Sequence, residues 1–225
     1  MKSLLLPALF VLPVCTGCSL GQGEGDVKSD ALVAEDCWKG EYDLQPDFFA
    51  AVPVPTQETL NIRIQRGTDI QEVSDGLAVL VQDLDEIRGY VGPDGVKHEG
   101  HLNKPLAVTL SPGVLPPNAT FPSPPPPGQP AVHMALYLQR SCHSQNTVLY
   151  AVDGSITFHS LFSGDPNEAD AANKFTDAEF SVWMGDPRDA PAGQAADQIP
   201  AEAQSPVTGF FRFYFERGQP GQPFP

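Results

Sequence analysis

The chain has 225 residues and carries 28 acidic against 13 basic side chains, a formal net charge of −15. Such a field repels phosphate backbones and anionic headgroups, which excludes nucleic acid as a partner. At 41% hydrophobic residues the chain can bury a core, while 24 prolines and 20 glycines suit a loop-rich β fold better than a helical one.

Met1-Lys2 is followed by SLLLPALFVLPV, an apolar run too short to cross a bilayer as a stable helix. A basic start, a short apolar stretch and small residues after it read as a secretory signal peptide over residues 1–17. Thr16-Gly17-Cys18 closes that segment. These residues resemble the lipobox of bacterial lipoproteins, in which a small residue precedes a cysteine that is lipidated and becomes residue one. Cys15 departs from the pattern, where an aliphatic residue is usual; Cys15 as the modified residue is the alternative, with Leu12-Pro13-Val14 before it the poorer match. The resemblance implies a lipid on Cys18 and a chain anchored to a membrane rather than spanning it. Ser19 is the type of residue that, by the same analogy, directs transport to the outer membrane. Residues 18–29, SLGQGEGDVKS after the cysteine, read as a flexible tether rich in glycine and acids.

With Cys15 removed and Cys18 lipidated, Cys37 and Cys142 remain. An even count in an exported protein points to a disulfide between them. Two buried thiols are the alternative.

The body from residue 30 to 225 reads as one domain. Asp30–Trp38 is a candidate first strand. Phe48-Phe49-Ala50-Ala51 reads as a short helical turn begun by Pro46. In Leu60–Gly67 the residues Leu60, Ile62 and Ile64 alternate with Asn61, Arg63 and Gln65, the period-two signature of a half-buried strand. Ser74-Asp75-Gly76 reads as a turn into a strand over Leu77–Gln82, and Asp83 to Asn103 as loop. Pro105–Leu110 is a short strand. Ser111 to Pro130 is dense in proline, which no sheet interior accepts, so it reads as an extended insertion. Three strand segments follow or surround the next turns: Ala131–Gln139, Thr147–Val152 and Ser155–Phe162, with Asp153-Gly154 as a hairpin turn. Ala178–Met184 is a further strand. Val207–Gly218 closes the domain with Phe211, Phe213 and Phe215 inward.

About nine strands and no long helix predict an all-β domain, an antiparallel β-sandwich of jelly-roll or immunoglobulin-like topology. Three strands end alike, at Gln65-Arg66, Gln139-Arg140 and Glu216-Arg217. Such a pattern arises by chance where polar residues finish strands.

Candidate chemistry is sparse. His98 and His101 lie three apart beside glycines, without the helical HExxH spacing of a zinc site. Asp165 to Asp170 begins like a calcium loop, but Ala169 replaces an oxygen ligand and Asp170 stands where the turn needs glycine. His143, Ser144 and Asp153 are close in sequence, with no nucleophile elbow around the serine. Asp83, Asp85 and Glu86 could pair as glycosidic carboxylates, although consecutive loop acids are ordinarily solvated. Asn118-Ala119-Thr120 fits a glycosylation sequon.

The segments DLQPDFFA, LYAVDGSITFHSLFSGDPNE and FRFYFERGQP resemble β-sandwich lipoproteins of the Gram-negative envelope. That resemblance implies no activity, cofactor or functional residues. The expectation is therefore a lipid-anchored, non-enzymatic envelope protein, structural or binding a protein or glycan partner. A hydrolase of envelope polymers and a weak calcium-dependent adhesion module are the competing classes.

Overall fold

The structure, a computed structural model, describes residues 23–35, 37–54, 59–67, 73–110, 132–143, 147–193 and 198–218. The signal segment, Cys18 and the proline-rich insertion 111–130 lie outside the described residues.

Among them, twelve strands form: β1 (Gly23–Ala34), β2 (Trp38–Leu44), β3 (Phe48–Val54), β4 (Thr59–Gln65), β5 (Asp75–Val81), β6 (Tyr90–Val91), β7 (Lys97–His98), β8 (Pro105–Thr109), β9 (Val132–Leu138), β10 (Val148–Ser160), β11 (Phe175–Gly185) and β12 (Ser205–Tyr214). Ten of them make one sheet in the order β2-β1-β12-β11-β10-β8-β9-β5-β4-β3, and β6 pairs with β7 apart from it. Two short helices, α1 (Leu84–Arg88) and α2 (Ala171–Lys174), sit in connections. No described helix is long and apolar enough to cross a membrane.

The sheet is mixed, not wholly antiparallel as expected, because β8 and β9 run parallel, with Val108 opposite Val132. Parallel neighbours cannot be joined by a tight turn, and the connection between these two strands is the one that carries the long insertion. β10 makes this arrangement possible. Its first residues pair with β9, Tyr150 opposite Ala135, and its later ones with β8, Ser155 opposite Ala107. The sheet forks there.

Between the two pairings lies Asp153-Gly154, which is not a hairpin turn. β10 runs through it as one strand of 13 residues, with a register shift against β11 between Ala151 and Asp153. Gly154 has φ +104°, and a Cβ there would stand 2.3 Å from the Ser181 carbonyl oxygen. The Asp-Gly signal therefore marks a β-bulge, which bends a strand without reversing it.

Two further corrections concern the N-terminal part. Residues 23–29, expected in the tether, are the first residues of β1, and 23–28 pair with β12, Gly23 opposite Phe213. The glycines that suggest a linker are packing positions: a Cβ on Gly23 would lie 2.6 Å from the Phe49 ring, and one on Gly25 2.6 Å from the Phe210 carbonyl. Phe48–Val54 is strand β3, not a helical turn. Its partner β4 presents the alternating Leu60, Ile62 and Ile64, all fully buried, and pairing with that strand overrides the local turn signal of Pro46. The strand count is twelve rather than nine because β3, β6 and β7 are additional, the first expected strand falls in two, β1 ending at Ala34 and β2 starting at Trp38, and the two strands expected on either side of Asp153-Gly154 are one, β10.

The sheet curls until its two flanks share a core. Phe49 on the edge strand β3 stacks on Phe213 of β12, with ring centroids 5.8 Å apart. Tyr42 on the opposite edge strand β2 reaches Asp75 of β5. Phe158, Phe162, Phe211 and Phe213 are the largest side chains buried between, each removing apolar area worth about 2–3 kcal/mol. Phe162 stacks on Phe215 at 4.0 Å. All seven residues of β9 are buried, so His133 and Tyr137 do not form a solvent face. Tyr137, Ala135, Tyr150 and Leu110 make a second, smaller apolar cluster on the other side of the strand.

Candidate functional site

A concavity of polar character lies where β4 and β9 end and β5 begins, against β2. β5 begins at Asp75, which faces Leu138, the last residue of β9, while Gly76 beside it faces Gln65, the last residue of β4. After Leu138 the chain turns tightly, with the Cys142 N–H donating to the Leu138 carbonyl at 2.7 Å. Such a turn leaves N–H groups without partners in its own backbone. Asp75 supplies them from another strand: its Oδ1 accepts the Arg140 N–H at 2.8 Å and the Ser141 N–H at 3.0 Å. Its Oδ2 accepts the Ser141 hydroxyl and, at 3.4 Å, the Tyr42 phenol. The carboxylate is buried and its hydrogen-bonding capacity is filled.

A disulfide closes the same corner. Cys37, just before β2, is bonded to Cys142, with Cα atoms 5.6 Å apart. The expected pairing is present, and it fixes β2 to the turn that Asp75 organises. Burial, reinforced by the Asp75 charge, raises the Tyr42 phenol well above its ordinary pKa, so it stays a neutral donor.

Above this floor opens a cleft of about 430 Å³ lined by Trp38, Tyr42, Asp43, Arg66, Arg140 and Ser141, among others. Trp38 meets Tyr42 edge to face at 5.8 Å. Arg66 and Arg140, the strand-end arginines, are brought together here because β4 and β9 are the two neighbours of β5. Arg217, the third, is elsewhere and donates to Asn167.

The residues singled out for chemistry are not assembled. Asp83 caps α1, accepting the Glu86 N–H at 3.0 Å, and Asp85 and Glu86 occupy the first turn of that helix. Within the segment read as loop, Leu84–Arg88 is helical, and the Asp83 carboxylate caps its first turn. His98 stacks on Tyr90 at 4.4 Å, while His101 Nδ1 lies 3.0 Å from the Glu86 carbonyl. The two imidazoles are engaged separately. In the loop from Asp165 to Asp170, Asp165 accepts the Asn167 N–H and Glu168 accepts the Asp170 N–H; the Asp170 N–H, with the Ser163 hydroxyl, holds the Glu168 carboxyl below its usual range. Asp170 caps α2. Its oxygens are turned to the loop's own backbone.

His143 is exposed in the turn after β9, and Asp153 accepts the Gly154 N–H at 2.7 Å. Asp153 stands five residues beyond Val148 on β10, roughly 16 Å further from that turn. Ser144 and Asn118 lie outside the described residues.

Two other concavities are shallower in character. One, about 440 Å³, crosses the outer face of β1, β12, β11 and β10 and is lined by Ser155, Thr157, Glu179, Thr208 and Phe210. The other, about 420 Å³, lies between Pro53, Thr59, Leu84 and the loop at Ser163.

No family model matches the chain, and no curated protein or solved structure matches it. What the fold and site define is a disulfide-tied, all-β fold with a polar cleft at one corner.

Proposed function

We propose that the chain is a lipid-anchored, non-enzymatic protein of the bacterial cell envelope, and that it binds a partner through the cleft above Asp75. The observation that carries this reading is the state of that acid. Asp75 is buried and accepts two N–H groups and two hydroxyls, so the cleft floor is a fixed structural element rather than a proton-transfer group. A rigid, preorganised concavity favours binding.

The disulfide supports an oxidising compartment outside the cytoplasm. Thr16-Gly17-Cys18 supports anchoring through Cys18, probed below, and Ser19 supports the outer membrane as its location. Only residues 19–22 separate Cys18 from β1, so the domain sits within about 18 Å of its anchor. The curled sheet is best read as a sandwich. β2, β1, β12 and β11 form one layer, β9, β5, β4 and β3 the other, and β10 with β8 spans the fork between them.

Capture from crosslinked envelopes tests the binding role. The lipidated wild-type chain is expected to retain a partner that an Arg140→Glu chain of equal stability loses. Recovery of the same abundant porins by both forms contradicts it. Release of reducing ends from purified envelope polymer by the wild-type chain would instead establish the hydrolase class.

A further inference from the structure

From the chemistry of the cleft we infer that its ligand is a carboxylate-bearing saccharide, held by Arg66 and Arg140 against the Trp38 ring. This rests on the proposed binding role of the cleft and adds the class of ligand.

The arginines carry the argument. Arg88 donates to Leu161 and Asn173, Arg188 to Asp186, Arg212 to Glu24 and Arg217 to Asn167, and Arg63 is also engaged. Of the arginines among the described residues, only Arg66 and Arg140 have side chains with no hydrogen bond or ion pair. Both guanidinium groups are exposed, and both line one cleft. A guanidinium presents a planar fork of donors that matches a carboxylate.

The remaining groups narrow the class. Asp75 and Asp43 place two carboxylates in the same cleft, so two positive charges face two negative ones and the cleft is close to neutral. Both acids oppose an anion in proportion to its charge, so a dianionic phosphate meets about twice the repulsion that a singly charged carboxylate meets. Asp75 has no free lone pair to offer, but Asp43 is exposed and can accept hydroxyl donors. Trp38 is half-buried and offers part of its ring as an apolar wall. A carboxylate, several hydroxyls and a flat apolar ring face are together the surface of a uronic acid residue.

The chain has two tryptophans, and Trp183 lies exposed on β11, outside the cleft. A full-length Trp183→Phe chain therefore reports on Trp38 alone. Titration with an oligogalacturonate is expected to change its emission saturably, with no response to the methyl-esterified oligomer. Arg66→Ala and Arg140→Ala should each weaken the apparent Kd at least tenfold, Arg→Lys less so, with unfolding midpoints unchanged because both side chains are exposed. Equal affinity in wild type and both alanine variants overturns the inference, as does equal binding of a phosphorylated oligosaccharide or no saturable response. If envelope capture depends on Arg140 but the oligomer does not bind, the ligand class falls and the binding role stands.

Discussion

Asp75 and Ser141 are joined twice: the Asp75 carboxylate accepts the Ser141 N–H at 3.0 Å through one oxygen and the Ser141 hydroxyl through the other. They lie 66 residues apart, and with the Arg140 N–H and the Tyr42 phenol they make the start of β5 the anchor point for the turn after β9 and for β2.

Asp75→Ala removes the acceptor of two part-buried N–H groups and two hydroxyls, so it should cost about 2–3 kcal/mol. Asp75→Asn keeps one acceptor oxygen and should cost less. Urea unfolding midpoints at constant slope measure both, and an Asp75→Ala chain as stable as wild type would remove Asp75 from its structural role.

The disulfide closes a span of 105 residues, for which the chain-entropy model gives about 4–5 kcal/mol. A Cys37→Ala/Cys142→Ala chain should lose stability on that scale, and wild type should approach it in thermal melts with reductant.

Gly209 is a packing position. A Cβ there would lie 2.2 Å from the Asp26 carbonyl and 2.7 Å from the Phe180 ring, so Gly209→Ala should destabilise by about 2 kcal/mol or more. Thr208→Ala, one residue away and exposed, should stay within about 0.5 kcal/mol. Calorimetry on the pair separates strain from a general sensitivity of β12.

Burial raises the phenol pKa values of Tyr42, Tyr137 and Tyr150. Their ordinary value in the unfolded chain is about 10. A folded-state pKa above the unfolded one favours the protonated phenol in the fold, so this stabilisation is complete below pH 10 and is lost as pH climbs toward the folded values. Each tyrosine adds a slope of about 1.4 kcal/mol per pH unit in that window. Absorbance at 295 nm should show these phenols ionising together with unfolding. Smooth ionisation of all five tyrosines in a folded chain would contradict their burial.

The sequence made β4 legible because Leu60, Ile62 and Ile64 alternate against polar residues and one face alone is buried. β12 was legible for the same reason, through Phe211, Phe213 and Phe215. β9 was only half legible, since its polar-looking face, with His133 and Tyr137, is buried by a second cluster that local pattern does not reveal. Gly23 and Gly25 misled because a glycine required by a neighbouring ring has the same composition as a linker glycine. Asp153-Gly154 misled because a bulge and a hairpin turn both use a positive φ. The disulfide could be deduced by counting cysteines. The cleft could not, since Asp75, Tyr42 and Ser141 are distant in the chain and each is ordinary in its own segment. Its one trace was the repeated strand-end arginine, two copies of which the topology places side by side.

The account depends most on a mature chain that begins at Cys18 and carries lipid. Mass spectrometry of the N-terminal peptide from purified native membranes reads this directly. The predicted result is a peptide starting at Cys18 with a diacylglyceryl thioether and an acylated amine, lost in a Cys18→Ala chain. An unmodified Cys18, or a mature chain that still carries residues 1–17, would contradict it.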